Sequence, residues 1–472
     1  MRIVATLFSL VFIAQGIAQA GEQLQAPAAE RQFREWLSAF NAGDRTALQD
    51  YLGKNTKDLG EHVDDQMGFR DATGGFEFKK MEESTPTKYV ALLKEKESDT
   101  FVRLTLQVEE SEPHRVKDFQ LLMTSAPAEL RVARMTESGV VAAVQELAQS
   151  RTTADKFSGA VAISRNGKTV FERAYGLADR EKGTQNTLQT QFRMGSMNKM
   201  FTATAILQLA QAGKLSLSDP LGKSLTDYPN KDVAGEVTIH QLLTHTGGTG
   251  DIFGPEFDKH RLDLKTLQDY VALYGQRGLT FEPGSKWEYS NYGFLLLGVV
   301  VEKVSGQDYY QYVRQHIFKP AGMTSTDSLP EDQVVPGRAI GYTKPDGKQG
   351  WVPNTDTLPY RGTSAGGGYT TVGDLLKFAD ALSTRKLLDE KHTALLTTGH
   401  VDTPMQLKYA YGFMDNVSDG PRWFGHGGGA PGMNGDLRIF PQTGYAVAVL
   451  SNLDPPAADK ITAYVDNRLP AQ

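Results

Sequence analysis

Met194-Gly195-Ser196-Met197-Asn198-Lys199-Met200-Phe201 opens a helix. Behind the serine run Met200, Ala203, Ile206, Leu207, Leu209 and Ala210, apolar at helical spacing, and Gly213 supplies a stop. The pattern predicts a mostly buried helix that still carries a serine and a lysine at i and i+3, on one face and one turn apart. Ser196 falls at the N-cap or in the first turn. Free backbone N–H groups and the helix dipole favour developing negative charge there, which suits a nucleophile with an oxyanion hole. The bland reading is a capped helix with a snorkelling lysine. Ser383-Thr384-Arg385-Lys386 repeats the Ser-x-x-Lys spacing, but it follows the apolar run Leu375 to Leu382 and sits at a helix end.

The rest of the chain bounds what such a site could serve. Its 472 residues suggest two or three domains. A net charge of −6 favours neither nucleic acid nor an anionic membrane as partner. The absence of cysteine excludes disulfides, thiolate chemistry and Cys zinc sites. At the N-terminus, Arg2 is the one charge before an apolar run from Ile3 to Ile13, and Ala18-Gln19-Ala20 gives a small-x-small cleavage site. Residues 1–20 read as a secretory signal peptide cleaved near Ala20, which places the mature protein in the periplasm or outside the cell. The run is short for a membrane span of roughly 20 residues. No later stretch is apolar enough to serve, so no transmembrane segment is expected in the mature chain.

Residues 28–135 read as a small α+β domain. Phe33, Trp36, Leu37 and Phe40 have helical spacing, Asn41-Ala42-Gly43-Asp44 breaks the helix, and Asp44 can cap a second one. Phe101 to Glu109 alternates, with Val102, Leu104, Leu106 and Val108 on one face, and Tyr89 to Lys94 and Val116 to Met123 are its expected neighbours. This order resembles the NTF2-like or SnoaL-like fold. Glu61-His62 with Asp64 and Asp65 reads as a solvated loop rather than a metal site. Residues 136–472 form a second domain. Its first helix carries Val140, Val144 and Leu147, and Asn166-Gly167 marks a hairpin between Ser158–Ser164 and Lys168–Tyr175. Thr238 caps a short helix before His245-Thr246-Gly247-Gly248. An apolar helix runs from Phe294 to Val304 and stops at Gly306. Gly366-Gly367-Gly368 is a loop, Thr371 caps the helix to Leu382, and a last hairpin turns at Pro441-Gln442-Thr443-Gly444.

Ser196-x-x-Lys199, Tyr289-x-Asn291 and His426-x-Gly428 stand in that order, the last before a Gly-rich turn and the final hairpin. From about Thr136 to Asn467 the chain resembles the serine β-lactamase and penicillin-binding-protein superfamily. The nearest branch holds class C β-lactamases, D-Ala-D-Ala carboxypeptidases and related esterases. Tyr228-Pro229-Asn230 and His245-Thr246-Gly247 also fit the second and third motifs. Tyr228 comes too soon after Ser196, and His245 precedes no strand and reads as structural. The resemblance implies an α/β sandwich of β-lactamase/transpeptidase-like type: an antiparallel sheet flanked by helices plus an all-helical region, preceded by the small α+β domain. It also implies a covalent acyl-enzyme, with Ser196 as nucleophile, Lys199 as base and Tyr289 as acid/base partner, provided cations lower the Tyr289 pKa. Asn291 would position Lys199 and the substrate amide, and the N–H groups of Ser196 and Gly429 would form the oxyanion hole. Either Lys199 or Tyr289 could take the first proton. No metal or other cofactor is expected.

One departure concerns specificity. Many relatives carry Lys-Thr-Gly where this chain has His426-Gly427-Gly428, which replaces a fixed ammonium by a group expected to titrate near neutral pH and removes a hydroxyl that helps bind a substrate carboxylate. The reading is an exported serine hydrolase acting on a small-molecule or peptide substrate, an ester or an amide such as a D-amino-acid peptide. A β-lactamase or carboxypeptidase is the alternative, and a silent peptidoglycan-binding or sensor protein is the alternative of another class. Nothing in the chain sets its oligomeric state.

Overall fold

The computed structural model describes residues 26–57, 63–345, 350–417 and 420–471. The chain divides into two compact units, Met1–Arg131 and Val132–Gln472. The signal-peptide segment and the Glu61-His62 pair lie outside the described residues.

In the first unit, α1 (Ala28–Ala42), α2 (Arg45–Asn55) and α3 (Val63–Thr73) precede a four-stranded sheet. Its strands β1 (Phe76–Ser84), β2 (Lys88–Glu95), β3 (Phe101–Val108) and β4 (Val116–Thr124) form an antiparallel meander in chain order. Gly43 ends α1 in the left-handed region at φ 67°, and the Asp44 carboxylate caps α2 by accepting from Thr46 N and Ala47 N. Phe33, Trp36 and Phe40 bury one face of α1 in a core shared with Leu104 and Leu106. The alternation of β3 appears as expected, and both of its neighbours pair with it. Asp64 and Asp65 fall in the first turn of α3, not in a loop, and Asp64 pairs with Arg45 at 3.0 Å. Strand β1 carries two register shifts, between Phe78 and Lys80 and between Met81 and Glu83. Each shift breaks the period of two that would have announced the strand.

The second unit is built on an eight-stranded antiparallel sheet. Chain order runs α4 (Glu137–Thr153), β5 (Gly159–Arg165), β6 (Lys168–Tyr175), α5 (Asn198–Gln211), α6 (Ile239–Leu243), α7 (Asn291–Ser305) and α8 (Val372–Ser383). It continues through β7 (Val401–Asp402), β8 (Lys408–Tyr409), β9 (Met414–Asn416), β10 (Trp423–Ala430), β11 (Met433–Phe440), β12 (Tyr445–Ser451) and α9 (Asp459–Asp466). The sheet order is β7-β8-β9-β10-β11-β12-β5-β6, so strands from both ends of the unit pair side by side where β12 meets β5. Alternation sorts the two faces. Val161, Ile163, Val447 and Val449 pack under α4 and α9 with Val144 and Ile461. Ala160, Ala162, Ala448 and Leu450 face the core containing α5, α7 and α8. Small alanines on that side let the helices approach closely, and burial on both faces explains why these strands read as continuous apolar runs. Asn166 (φ 50°) and Gly167 (φ 73°) are both left-handed, as a two-residue hairpin of type I′ demands.

Candidate active site

Ser196 does not cap the long helix. Gly195–Met197 form one turn of 3₁₀ helix and α5 begins at Asn198. Gly195 adopts φ 54°, which bends the chain so that Ser196 lies at the front of the turn. The turn sits directly on β10. A Cβ at Gly428 would strike the Met194 carbonyl and stand 3.0 Å from Ser196 N, and one at Gly195 would stand 3.0 Å from Gly429 N. The glycine run after His426 is therefore strand and not turn: Gly427, Gly428 and Gly429 continue β10 opposite Asp436, Gly435 and Asn434. Its glycines remove the side chains that would hold backbone from backbone. Strand β9 pairs only with Trp423–Gly425, so beyond that point β10 presents an open edge on that side. The amides of Ser196 and Gly429 are thus brought close together.

Lys199, one turn into the segment, is fully buried. Its Nζ donates to Asn291 Oδ1 at 2.7 Å, to the Ala365 carbonyl at 2.6 Å and to Ser196 Oγ at 3.3 Å. Burial pulls the Lys199 pKa down to about 7, against an opposing pull from Asp251. The two shorter bonds claim two amine hydrogens, which leaves the third tetrahedral direction, toward Ser196 Oγ, for the lone pair of the neutral amine. Asn291 is the first residue of α7, whose N-cap Ser290 accepts from Gly293 N. Its Nδ2 donates to Asp251 Oδ2 at 3.1 Å, and Asp251 Oδ1 accepts from Asn291 N at 3.0 Å. One N–H of that amide is committed to Asp251 and its oxygen to Lys199, so Asn291 is held at both ends and positions Lys199.

Tyr289 lines the same cleft as Ser196, and Lys199 Nζ stands 4.6 Å from its ring centroid. Burial raises the Tyr289 pKa well above the usual phenol value. Nearby cations do not lower it as the motif alone suggested, and the phenol stays protonated. His426 departs from expectation in the same way. It is buried, and desolvation together with Lys199 lowers its pKa to about 3. It is a neutral imidazole at physiological pH, not a group titrating near neutrality.

These residues line a cleft of about 430 Å³ whose remaining walls are Trp287, Pro404, Met405, Met414, Gly427 and Gly429. Those walls carry no charged side chain. Four contributions escaped the motif reading. Asp251 and the Ala365 carbonyl are far from Lys199 in sequence, the latter by 166 residues, and obey no local spacing. His245 is not remote structure: its ring lies 4.3 Å from that of Tyr289, and Tyr409 joins it to His426. The Leu242-Leu243-Thr244-His245-Thr246-Gly247-Gly248 stretch was the available signal, and it marked a segment without saying what it touched. The duplicates at Tyr228 and Ser383 are structural. Tyr228 bonds Tyr292 in the core, Asn230 caps a short helix, and Ser383 ends α8. Among the described residues, no group of His, Asp and Glu could hold a metal ion.

A nucleophile-bearing turn, a buried lysine, a tyrosine and an open strand edge on one antiparallel sheet define the class of serine β-lactamases and penicillin-binding proteins. The Beta-lactamase family model matches residues 143–471, and the chain belongs to that family. It is 35% identical over 296 residues to PbpX of Bacillus subtilis (strain 168), named as a penicillin-binding protein, a match spanning 62% of this chain and 70% of that one. A penicillin-binding protein from Bacillus halodurans superposes with a TM-score of 0.61 at 33% identity, covering 66% of this chain and 98% of that chain. A D-stereospecific amidohydrolase from Streptomyces sp. does so with 0.58 at 28% identity, covering 69% and 98%.

Proposed function

We propose that the protein is an exported serine hydrolase that cleaves an uncharged ester or amide, D-amino-acid derivatives included, through an acyl-enzyme on Ser196. The observation that carries this reading is the disposition of Lys199: buried, drawn down to about pH 7, and held by two acceptors so that its lone pair faces Ser196 Oγ. Lys199 takes the serine proton as Ser196 attacks the carbonyl. The N–H groups of Ser196 and Gly429 hold the oxyanion. Tyr289, a protonated phenol, gives its proton to the leaving oxygen or nitrogen, and the proton held by Lys199 replaces it. Water then attacks the acyl-enzyme by the same transfers in reverse.

The substrate class is supported by the cleft, in which His426 is neutral, Lys199 is fully committed, and position 427 has no hydroxyl. Similarity to a D-stereospecific amidohydrolase supports an amide as well as an ester. Export rests on residues 1–20. No helix among the described residues is long and apolar enough to cross a membrane. The test is labelling of wild type and Ser196→Ala with a fluorophosphonate and a fluorescent penicillin, followed by peptide mass mapping. The adduct is expected on the Ser196 peptide in wild type alone, and Ser383→Ala should label as wild type does. An adduct on any other peptide would reject the assignment.

A further inference from the structure

Ser290 N–H donates to His245 Nδ1 at 3.1 Å. A ring nitrogen that accepts carries no proton, so the His245 proton sits on Nε2. Nε2 lies 2.9 Å from the Tyr409 hydroxyl and donates to it. That hydroxyl has one hydrogen, and its other partner is His426 Nε2 at 3.1 Å, so Tyr409 donates there. His426 therefore accepts at Nε2 and carries its proton on Nδ1, which donates to the Gly427 carbonyl at 2.5 Å. A backbone N–H at one end and a backbone carbonyl at the other demand the same direction for the four bonds in series. All three side chains are buried, with at most 4% of any of them exposed, so bulk water offers no substitute partner.

We propose that His245 and Tyr409 are positioning residues of this reaction, a buried directional chain that holds the His426 ring in place and ties the second motif to the third. The proposal rests on the hydrolase reading above. The chain starts on the residue after Tyr289 and ends on the carbonyl at the open edge of β10. His245 also supports the Tyr289 ring at 4.3 Å. Its backbone is held at φ 60°, in the left-handed region that residues other than glycine seldom adopt. Burial and the neighbouring Lys199 keep both imidazoles neutral. Neither becomes a second cation beside the lysine that must lose its proton.

Histidine-selective ¹⁵N labelling and long-range ¹H–¹⁵N spectra read the tautomers directly. Wild type should show two buried histidines in opposite neutral tautomers, one protonated on Nε2 and one on Nδ1. Tyr409→Phe keeps the ring and removes the hydroxyl. It should leave both tautomers in place, remove the donor from His426 Nε2 and the acceptor from His245 Nε2, and lower kcat for a neutral ester by about tenfold to a hundredfold, with KM changed by less than about threefold. A role confined to packing would lower the melting temperature and leave kcat alone. Two like tautomers in wild type, or a Tyr409→Phe enzyme with wild-type kcat, would overturn the proposal. If Tyr409→Phe does not fold, the wild-type spectrum decides alone. The spectra can also be taken on Ser196→Ala, so a chain that holds in a protein whose serine takes no acyl group would separate failure of the hydrolase reading from failure of this one.

Discussion

Lys199 Nζ lies 2.7 Å from Asn291 Oδ1, and the orientation of that amide is fixed by Asp251 gripping its other end at 3.1 Å. Asp251 thus acts twice on the lysine, by aiming its acceptor and by its charge. Burial lowers the Lys199 pKa to about 7 and Asp251 raises it. A base must be neutral to accept a proton, so kcat/KM for p-nitrophenyl butyrate is expected to rise through about pH 7 and level off above. Asp251→Asn removes the opposing charge, and the rising limb should move to lower pH by roughly 0.5–1 unit. A limb that stays in place or moves upward would show that another group controls it.

Gly428→Ala is expected to cripple the enzyme without touching a reacting side chain. The new Cβ would meet the Met194 carbonyl and the Ser196 nitrogen, both backbone, and neither can yield by changing rotamer. Overpacking of this kind costs about 1–3 kcal/mol, and displacing the nucleophile by an ångström costs about a hundredfold in kcat. Gly427→Ala is the control, because the nearest atom to its Cβ would be 3.6 Å away. Thermal melts and kcat for the two variants should diverge sharply. Equal behaviour would mean the turn is not wedged on β10.

How far such effects could be read from the sequence depended on the range of the interaction. Local chemistry was legible: the Asn166-Gly167 hairpin, the Thr238, Thr371 and Asp44 caps, the Gly306 stop and the Ser196–Lys199 spacing all follow from neighbours a few residues apart. Strand β1 was hidden because its bulges scramble the alternation. The glycines after His426 suggest a turn from sequence alone, because a glycine run has the same composition whether it bends or lets another backbone approach. Asp251, Ala365, His245 and Tyr409 converge on the site only through the fold. The neutrality of His426 and the raised pKa of Tyr289 are products of burial, which no motif records.

The first unit is expected to be dispensable for hydrolysis of a small ester. All three motifs and the partners of Lys199 lie beyond Val132, and Met135 N–H is held by the Arg468 carbonyl within the second unit. A chain beginning at Val132 should keep kcat/KM for p-nitrophenyl butyrate within about threefold. A chain that shows native circular dichroism but no activity would mean that the first unit shapes the site.

Substrates bearing a carboxylate beside the scissile bond should be poor, and increasingly so as pH rises. The missing hydroxyl at position 427 is only part of the reason. A Cβ at Gly427 would stand 3.8 Å from Asp459 Oδ1 and 3.9 Å from Asp436 Oδ1, so the side-chain direction at this edge of the cleft points at two carboxylates. Gly427→Thr alone would set its hydroxyl against them and should not improve use of a carboxylate substrate. Burial, with Asp436 beside it, pushes the Asp459 pKa up to about 7. Asp459 is therefore largely neutral below that pH and gains its negative charge above it. The ratio of kcat/KM for a D-Ala-D-Ala peptide to that for p-nitrophenyl butyrate should fall as pH rises from 6 to 8. A like charge several ångströms away through partly solvated protein is worth about 0.5–1 kcal/mol, or about a two- to fivefold drop in the ratio. Asp459→Asn should abolish the drop and hold the ratio near its low-pH value, while the Lys199 limb, common to both substrates, cancels. A ratio that rises with pH in wild type, or an unchanged pH dependence in Asp459→Asn, would remove this carboxylate pair from the account of specificity.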